Sequence, residues 1–230
     1  GGFSIDKALS GSGASLVPGT KLFTVNYSVN GGTPIPVQVS IDGAPVVVSG
    51  LPFGAVVAFT EDTPSAVSGA TFNSATFSPT SVTIGNGTTT AVIVTNDYTA
   101  QTGGFSIDKA LSGTGASLVP TDKLFTVNYS VDGGTPVAVQ VSIDDAPVVV
   151  SGLPFGAVVT FTEDTPSAVT GATFNSATFA PTSVTIGNGT TTAVIVTNDY
   201  TAQTGGFSID KALSGTGASL VPTDKLFTVN

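Results

Sequence analysis

Gly1-Gly2-Phe3-Ser4-Ile5-Asp6-Lys7 returns as Gly103 to Lys109 and again as Gly205 to Lys211, so the chain repeats with a period of 102 residues. The first two copies differ at ten positions, among them Gly19/Thr121, Asn30/Asp132 and Gly43/Asp145. A unit of about 100 residues can bury a core of its own and is too long for one solenoid repeat. The period divides the chain into residues 1–102, residues 103–204 and the start of a third copy over 205–230. The junction Thr99-Ala100-Gln101-Thr102-Gly103-Gly104 is short and should limit bending. The 26-residue third copy cannot make a sandwich by itself. A cut through a longer array is the expectation, and donation of its two expected strands, Phe207–Leu213 and Leu226–Asn230, to a neighbouring domain is the alternative.

Within one copy the apolar residues alternate, and no helical period appears. Strands are expected over Phe3–Leu9, Leu22–Val29, Val37–Ile41, Pro45–Ser49, Ala55–Glu61, Thr71–Phe77, Ser81–Ile84 and Thr90–Tyr98. Asn30-Gly31-Gly32 and Gly85-Asn86-Gly87 read as turns, and Asp42-Gly43 reads as a hairpin between its flanking strands. Seven or eight short strands at this spacing predict an all-β fold, a tandem of immunoglobulin-like β-sandwiches.

Composition narrows the function. Six Lys and no Arg stand against 15 acidic residues, for a net charge of −9. Nucleic acid and anionic membranes would be repelled, so neither is an expected partner. There is no Cys, His, Met or Trp. Thiolate and imidazole metal sites and the Ser-His-Asp and Cys-His nucleophilic machines are therefore excluded, and no metal or cofactor is expected. No apolar run reaches the length of a membrane span. No leader opens the chain, so an export or anchoring signal is expected outside this stretch. Asn26-Tyr27-Ser28 and Asn86-Gly87-Thr88 match the glycosylation pattern, which is common by chance.

Three polar residues per copy fall on the inward phase of their strands. Side chains in a strand alternate faces. Lys7 shares a face with Phe3, Ile5 and Leu9; Glu61 with Ala55, Val57 and Phe59; Asn96 with Val92, Val94 and Tyr98. The second copy repeats this with Lys109, Glu163 and Asn198. Lys211 opens the same pattern in the third copy, where no Glu or matching Asn follows. A charge buried without a partner costs several kcal/mol, so these groups need one another. One reading is a buried Lys–Glu ion pair with an Asn bonded beside it. The other is chemistry. A dry site favours the neutral amine and the protonated carboxyl. A neutral amine attacks the carboxamide, the carboxyl moves protons, ammonia leaves, and a Lys–Asn isopeptide bond remains. Lys21 is a rival amine, in phase with Phe23, Val25 and Tyr27 but at the strand edge; Asp62 and Asp97 fall on the outward phase.

Gly50-Leu51-Pro52-Phe53-Gly54, a strand ending in Glu61, and Pro64 together resemble the B-type repeat of Gram-positive collagen adhesins (Cna-B). That family carries its reactive Lys on the first strand, its catalytic Glu after a Leu-Pro-x-Gly segment, and its acceptor Asn on a Val-rich last strand. Lys7, Glu61 and Val92-Ile93-Val94-Thr95-Asn96 match those places in order. Two departures stand out. Glu61 comes one residue later after Gly54 than is usual there, and Val56-Val57 replaces an early aromatic. The longer spacing is more similar to a related repeat family in large actinobacterial surface proteins. The resemblance implies isopeptide formation between Lys7 and Asn96 and between Lys109 and Asn198, with Glu61 and Glu163 as the catalytic carboxyls.

The function these readings predict is a structural repeat array of an extracellular, surface- or wall-attached bacterial protein, forming a stalk or fibre. At most it acts once on itself, so it is not a turnover enzyme. Its expected partners are neighbouring repeats of the same chain. One alternative is a filament subunit that forms a homopolymer by strand exchange or by cross-links such as Asn96 with Lys109. Another is an adhesive module for glycan or protein, which an exposed aromatic cluster would mark; the sequence holds none.

Overall fold

The computed structural model describes residues 1–230. The first repeat holds β1 (Gly2–Ser10), β2 (Phe23–Val29), β3 (Ile35–Val39), β4 (Val46–Val48), β5 (Val56–Glu61), β6 (Ala70–Ser78), β7 (Ser81–Thr83) and β8 (Thr89–Ala100). They form two four-stranded sheets in the orders β4-β1-β8-β6 and β3-β2-β5-β7. The second repeat holds β9 (Thr102–Ser112), β10 (Phe125–Val131), β11 (Val137–Val141), β12 (Val148–Pro154), β13 (Val158–Glu163), β14 (Ala172–Ala180), β15 (Ser183–Thr185) and β16 (Thr191–Ala202). Its sheets repeat the same two orders, β12-β9-β16-β14 and β11-β10-β13-β15.

The alternation read in the sequence builds the core between the sheets. In the first repeat Phe3, Ile5, Val25, Val57, Val92 and Val94 are fully buried. Phe3 stands edge-on to Tyr27 and Phe59 with ring centroids 5.1 and 5.2 Å apart, an arrangement aromatic rings favour. The second repeat reproduces it with Phe105, Tyr129 and Phe161. The Gly-Gly that opens each of the two complete copies has a steric reason. A Cβ on Gly103 would lie 2.0 Å from the Gly187 carbonyl oxygen, and one on Gly104 would lie 2.2 Å from that of Val150.

One pairing governs the geometry of the site. β1 and β8 are parallel, with Lys7 opposite Val94 and Leu9 opposite Asn96. The other pairings in the repeat are antiparallel. Parallel first and last strands put the chain's entry and exit at opposite ends of the sandwich.

Two expectations fail. Asp42-Gly43 does not make a hairpin: β3 pairs with β2, and β4 pairs with β1 in the other sheet. A two-residue Asp-Gly hairpin turn needs positive φ at the glycine. Gly43 has no such φ, and Asp145 takes its place in the second repeat. Instead the Asp42 N–H donates to the Gly19 carbonyl (3.0 Å), so the segment serves as a crossover between sheets. The strands expected over Phe207–Leu213 and Leu226–Asn230 also do not form; the only regular element after β16 is the single 3-10 turn Ala218–Leu220. In the complete copies the first strand is held by the fourth and the eighth. Residues 205–230 contain neither of those.

The junction consists of one residue between two long strands. The Gln101 N–H donates to the Gly69 carbonyl of the first repeat (2.7 Å), and its own carbonyl accepts from the Phe155 N–H of the second (3.0 Å). Its side chain donates to Thr71 (3.1 Å). Downstream, Thr102 and Gly103 pair with Pro154 and Leu153, so β12 runs to Pro154 while its counterpart β4 stops at Val48. With both backbone groups of Gln101 engaged, the junction has little rotational freedom. Gln101→Pro removes the donated bond and restricts Ala100. Spin labels on Thr33→Cys and Thr135→Cys should then show a broadened inter-repeat distance distribution, with the melting of each repeat unchanged.

Candidate cross-link site

Lys7 reaches the core from β1, Asn96 from the adjacent β8, and Glu61 from the end of β5 in the facing sheet. Asn96 is fully buried, and the side chains of Lys7 and Glu61 are 0% and 1% exposed. The Lys7 Nζ donates to Glu61 Oε2 at 2.8 Å and to Asn96 Oδ1 at 2.5 Å. Asn96 Nδ2 donates to Glu61 Oε1 at 2.7 Å. Amine, carboxylate and carboxamide thus close a three-membered ring of hydrogen bonds. The carboxylate bridges the nitrogen that would attack and the nitrogen that would leave.

The second repeat holds the same groups in a slightly different arrangement. Lys109 Nζ lies 3.1 and 3.0 Å from the two oxygens of Glu163, and Asn198 Nδ2 donates to Glu163 Oε1 at 2.8 Å. Asn198 Oδ1 is buried and has no partner. The two repeats therefore show the amine on the carboxylate alone and on carboxylate and carboxamide together, within one backbone frame.

Burial is the larger influence on the amines. It pushes Lys7 and Lys109 below their ordinary value of 10.5, and the hydrogen bond and charge of Glu61 and Glu163 only partly offset it. A lowered value enriches the neutral, nucleophilic amine. The Phe23 ring centroid lies 4.4 Å from Lys7 Nζ, and Phe125 is at 4.4 Å from Lys109 Nζ, so each amine also has an aromatic face against it. Alternation placed Phe23 inward but could not bring it to Lys7, because the two residues belong to opposite sheets.

The remaining candidates lie elsewhere. Lys21 stays at the rim, donating to Ser65 at 2.5 Å. Asp62 accepts from Asn26 on the surface at 2.8 Å. Asp97 accepts from Asn73 and Ser10, and those bonds hold its carboxyl below the usual range. Lys211 has no carboxyl or carboxamide partner; its Nζ is 4.8 Å from the Phe227 ring centroid. Asn96 and Lys109, the pair a cross-link between neighbours would use, are each engaged within their own repeat.

Sheet order and parallel terminal strands define a class of fold: tandem immunoglobulin-like β-sandwich repeats. The chain belongs to the family described as "Domain of unknown function (DUF5979)", which matches residues 3–99 and again 105–201. Among solved structures it is similar to the Bacillus anthracis TIE protein, at 17% identity and a TM-score of 0.51, over 86% of this chain and 34% of that one. It spans about a third of that protein's length. It is also similar to a single B repeat unit (B1) of the collagen-binding surface protein of Staphylococcus aureus, at 20% identity, TM-score 0.31, covering 87% of this chain and 98% of that one. A third likeness is to the major pilin from Streptococcus pyogenes, at 14% identity, TM-score 0.35, covering 87% and 98%. No curated protein matches the chain.

The lowered lysines have a consequence for pH. Between the lowered folded value and 10.5 the unfolded chain binds more protons than the folded one, so stability rises with pH across that window. Removing the carboxylate lowers the folded value further. A Glu61→Ala, Glu163→Ala chain, left with unpaired buried amines, should lose about 3–5 kcal/mol per repeat at neutral pH. Denaturant melts should show part of that loss recovered as pH rises toward 10.

Proposed function

We propose that this chain is a load-bearing repeat segment of an extracellular bacterial stalk or fibre, and that each repeat joins its own Lys to its own Asn. The observation that carries this reading is the dry contact of Lys7, Glu61 and Asn96, matched in the second repeat by Glu163 bridging Lys109 and Asn198. The surface location follows from the resemblance of the Leu51-Pro52-Phe53-Gly54, Glu61 and Asn96 segments to collagen-adhesin repeats.

The chemistry balances within the site. The ammonium of Lys7 passes one proton to Glu61. The free amine adds to Asn96 Cγ, forming the Nζ–Cγ bond. The adduct's nitrogen proton and the carboxyl's proton are exchanged through Glu61, which lies 2.7 Å from Nδ2. The Cγ–Nδ2 bond breaks and the nitrogen leaves as ammonium, carrying away both the adduct's relayed proton and the one Lys7 first gave to Glu61. Glu61 returns as a carboxylate. No external reagent is needed, and each repeat reacts once.

The bond would close a loop spanning 89 residues. On chain-entropy grounds that stabilises by about 4–5 kcal/mol. Its mechanical effect is larger. Tension enters along β1 and leaves along β8, the two strands that carry Lys7 and Asn96. A covalent tie between them passes the load without opening the sandwich. A chain without cysteine gains a staple that no reductant cuts.

Intact mass tests the reading directly. The folded chain should be lighter than its sequence by two molecules of ammonia, and Lys7→Ala with Lys109→Ala should restore the sequence mass. Peptide mapping should return Lys7–Asn96 and Lys109–Asn198 pairs; an Asn96–Lys109 pair would favour cross-links between neighbours. An unchanged mass would leave only a buried ion pair. Under single-molecule force each bonded repeat should withhold its 89-residue loop, about 300 Å of chain.

A further inference from the structure

Beside each triad stands a tyrosine whose buried hydroxyl has no partner. Tyr98 and Tyr200 are each 1% exposed, and the hydroxyl oxygen of each is a buried polar atom without a hydrogen bond. Unpaired buried polar atoms are rare and costly, so the same orphan at the same place in two repeats calls for a reason. The ring alone explains none of it. Phe72 packs on Tyr98 at 5.5 Å between centroids, and Phe174 packs on Tyr200 at 5.6 Å, contacts a phenylalanine would make equally well.

Position supplies the reason. Tyr98 is two residues beyond Asn96 on β8, so the two side chains leave the strand on the same face. An Asn carboxamide has two N–H donors. One of those on Asn96 goes to Glu61 Oε1, and no partner holds the other. The orphan phenol and the spare N–H are therefore complementary groups in one dry space. The surroundings of the phenol agree: burial pushes it up, the Asn96 amide draws it back, and the charge of Glu61 adds to the rise. Tyr200 is affected in the same way by Asn198 and Glu163.

We infer that Tyr98 and Tyr200 are positioning residues for isopeptide formation, each phenol oxygen accepting the second N–H of the acceptor carboxamide. With one N–H on the carboxylate and the other on the phenol, the amide plane cannot flip, and Cγ presents its face to the lysine nitrogen. A flipped carboxamide would turn its oxygen toward the carboxylate and hold the leaving nitrogen away from the group that protonates it. This inference rests on the isopeptide reading above.

The tandem chain carries its own control. Tyr98→Phe should slow ammonia loss in the first repeat while the second, with Tyr200 intact, reacts at its normal rate. The chain is made by cell-free translation, quenched at intervals, and the two Lys–Asn peptides are quantified by mass. The expected effect is about tenfold, the worth of one buried hydrogen bond in a transition state. The reciprocal Tyr200→Phe should reverse the asymmetry. Under strongly native conditions the folded fraction is essentially complete, so a purely structural role would change melting and leave the rates alone. Equal rates in both repeats, with or without a melting change, would overturn the inference. A parent chain that loses no ammonia from either repeat would overturn the isopeptide reading, and this one with it.

Discussion

A lysine left unpaired in a dry β-sandwich costs several kcal/mol, and each repeat offsets that cost by bringing a carboxylate to it from the facing sheet. Lys7 comes from one sheet and Glu61 from the other, so the ion pair forms only when the two sheets close. Asn96 then bonds to both, which ties the register of the parallel pair β1 and β8 to the position of β5. A one-residue slip of any of the three strands would send its polar group to solvent and leave the others uncompensated inside. The triad's contacts are therefore coupled to the register of the strands that carry it.

That specification has a mechanical consequence. The strands that hold the amine and the carboxamide are the first and last of the repeat, lying side by side and parallel. A force applied to the two ends of a repeat would shear that pair. The junction continues the same line: β8 and β9 are separated by Gln101 alone, and that residue is bonded to both repeats. The triad's lysine and asparagine thus sit on the same two strands that lead into and out of the repeat.

The strand-phase argument placed three polar residues inward because burial in a sandwich has a period of two and the polar exceptions to it are few. Lys7, Glu61 and Asn96 could each be assigned inward from their own neighbours. The same argument misplaced Asp42-Gly43, because the composition of a turn carries no information about which sheet the next strand joins. It read strands into 205–230, because alternation records a capacity to pair and cannot supply partners. It passed over Phe23, because closeness to Lys7 depends on a contact across the sandwich; Tyr98 it did place on the face of Asn96, but alternation does not tell whether a buried hydroxyl finds a partner.

The amino-acid sequence alone settled the repeat, the all-β class and the identity of the inward polar residues, because periodicity and side-chain alternation are local properties of a chain. Tertiary structure decided the partners: that Lys7 meets Glu61 across the core, that Asn96 lies one strand over in parallel register, and that Gln101 is held from both sides. Those contacts join residues far apart in the chain. Their geometry is set by how two twisted sheets close on a core with no room for an unpaired charge.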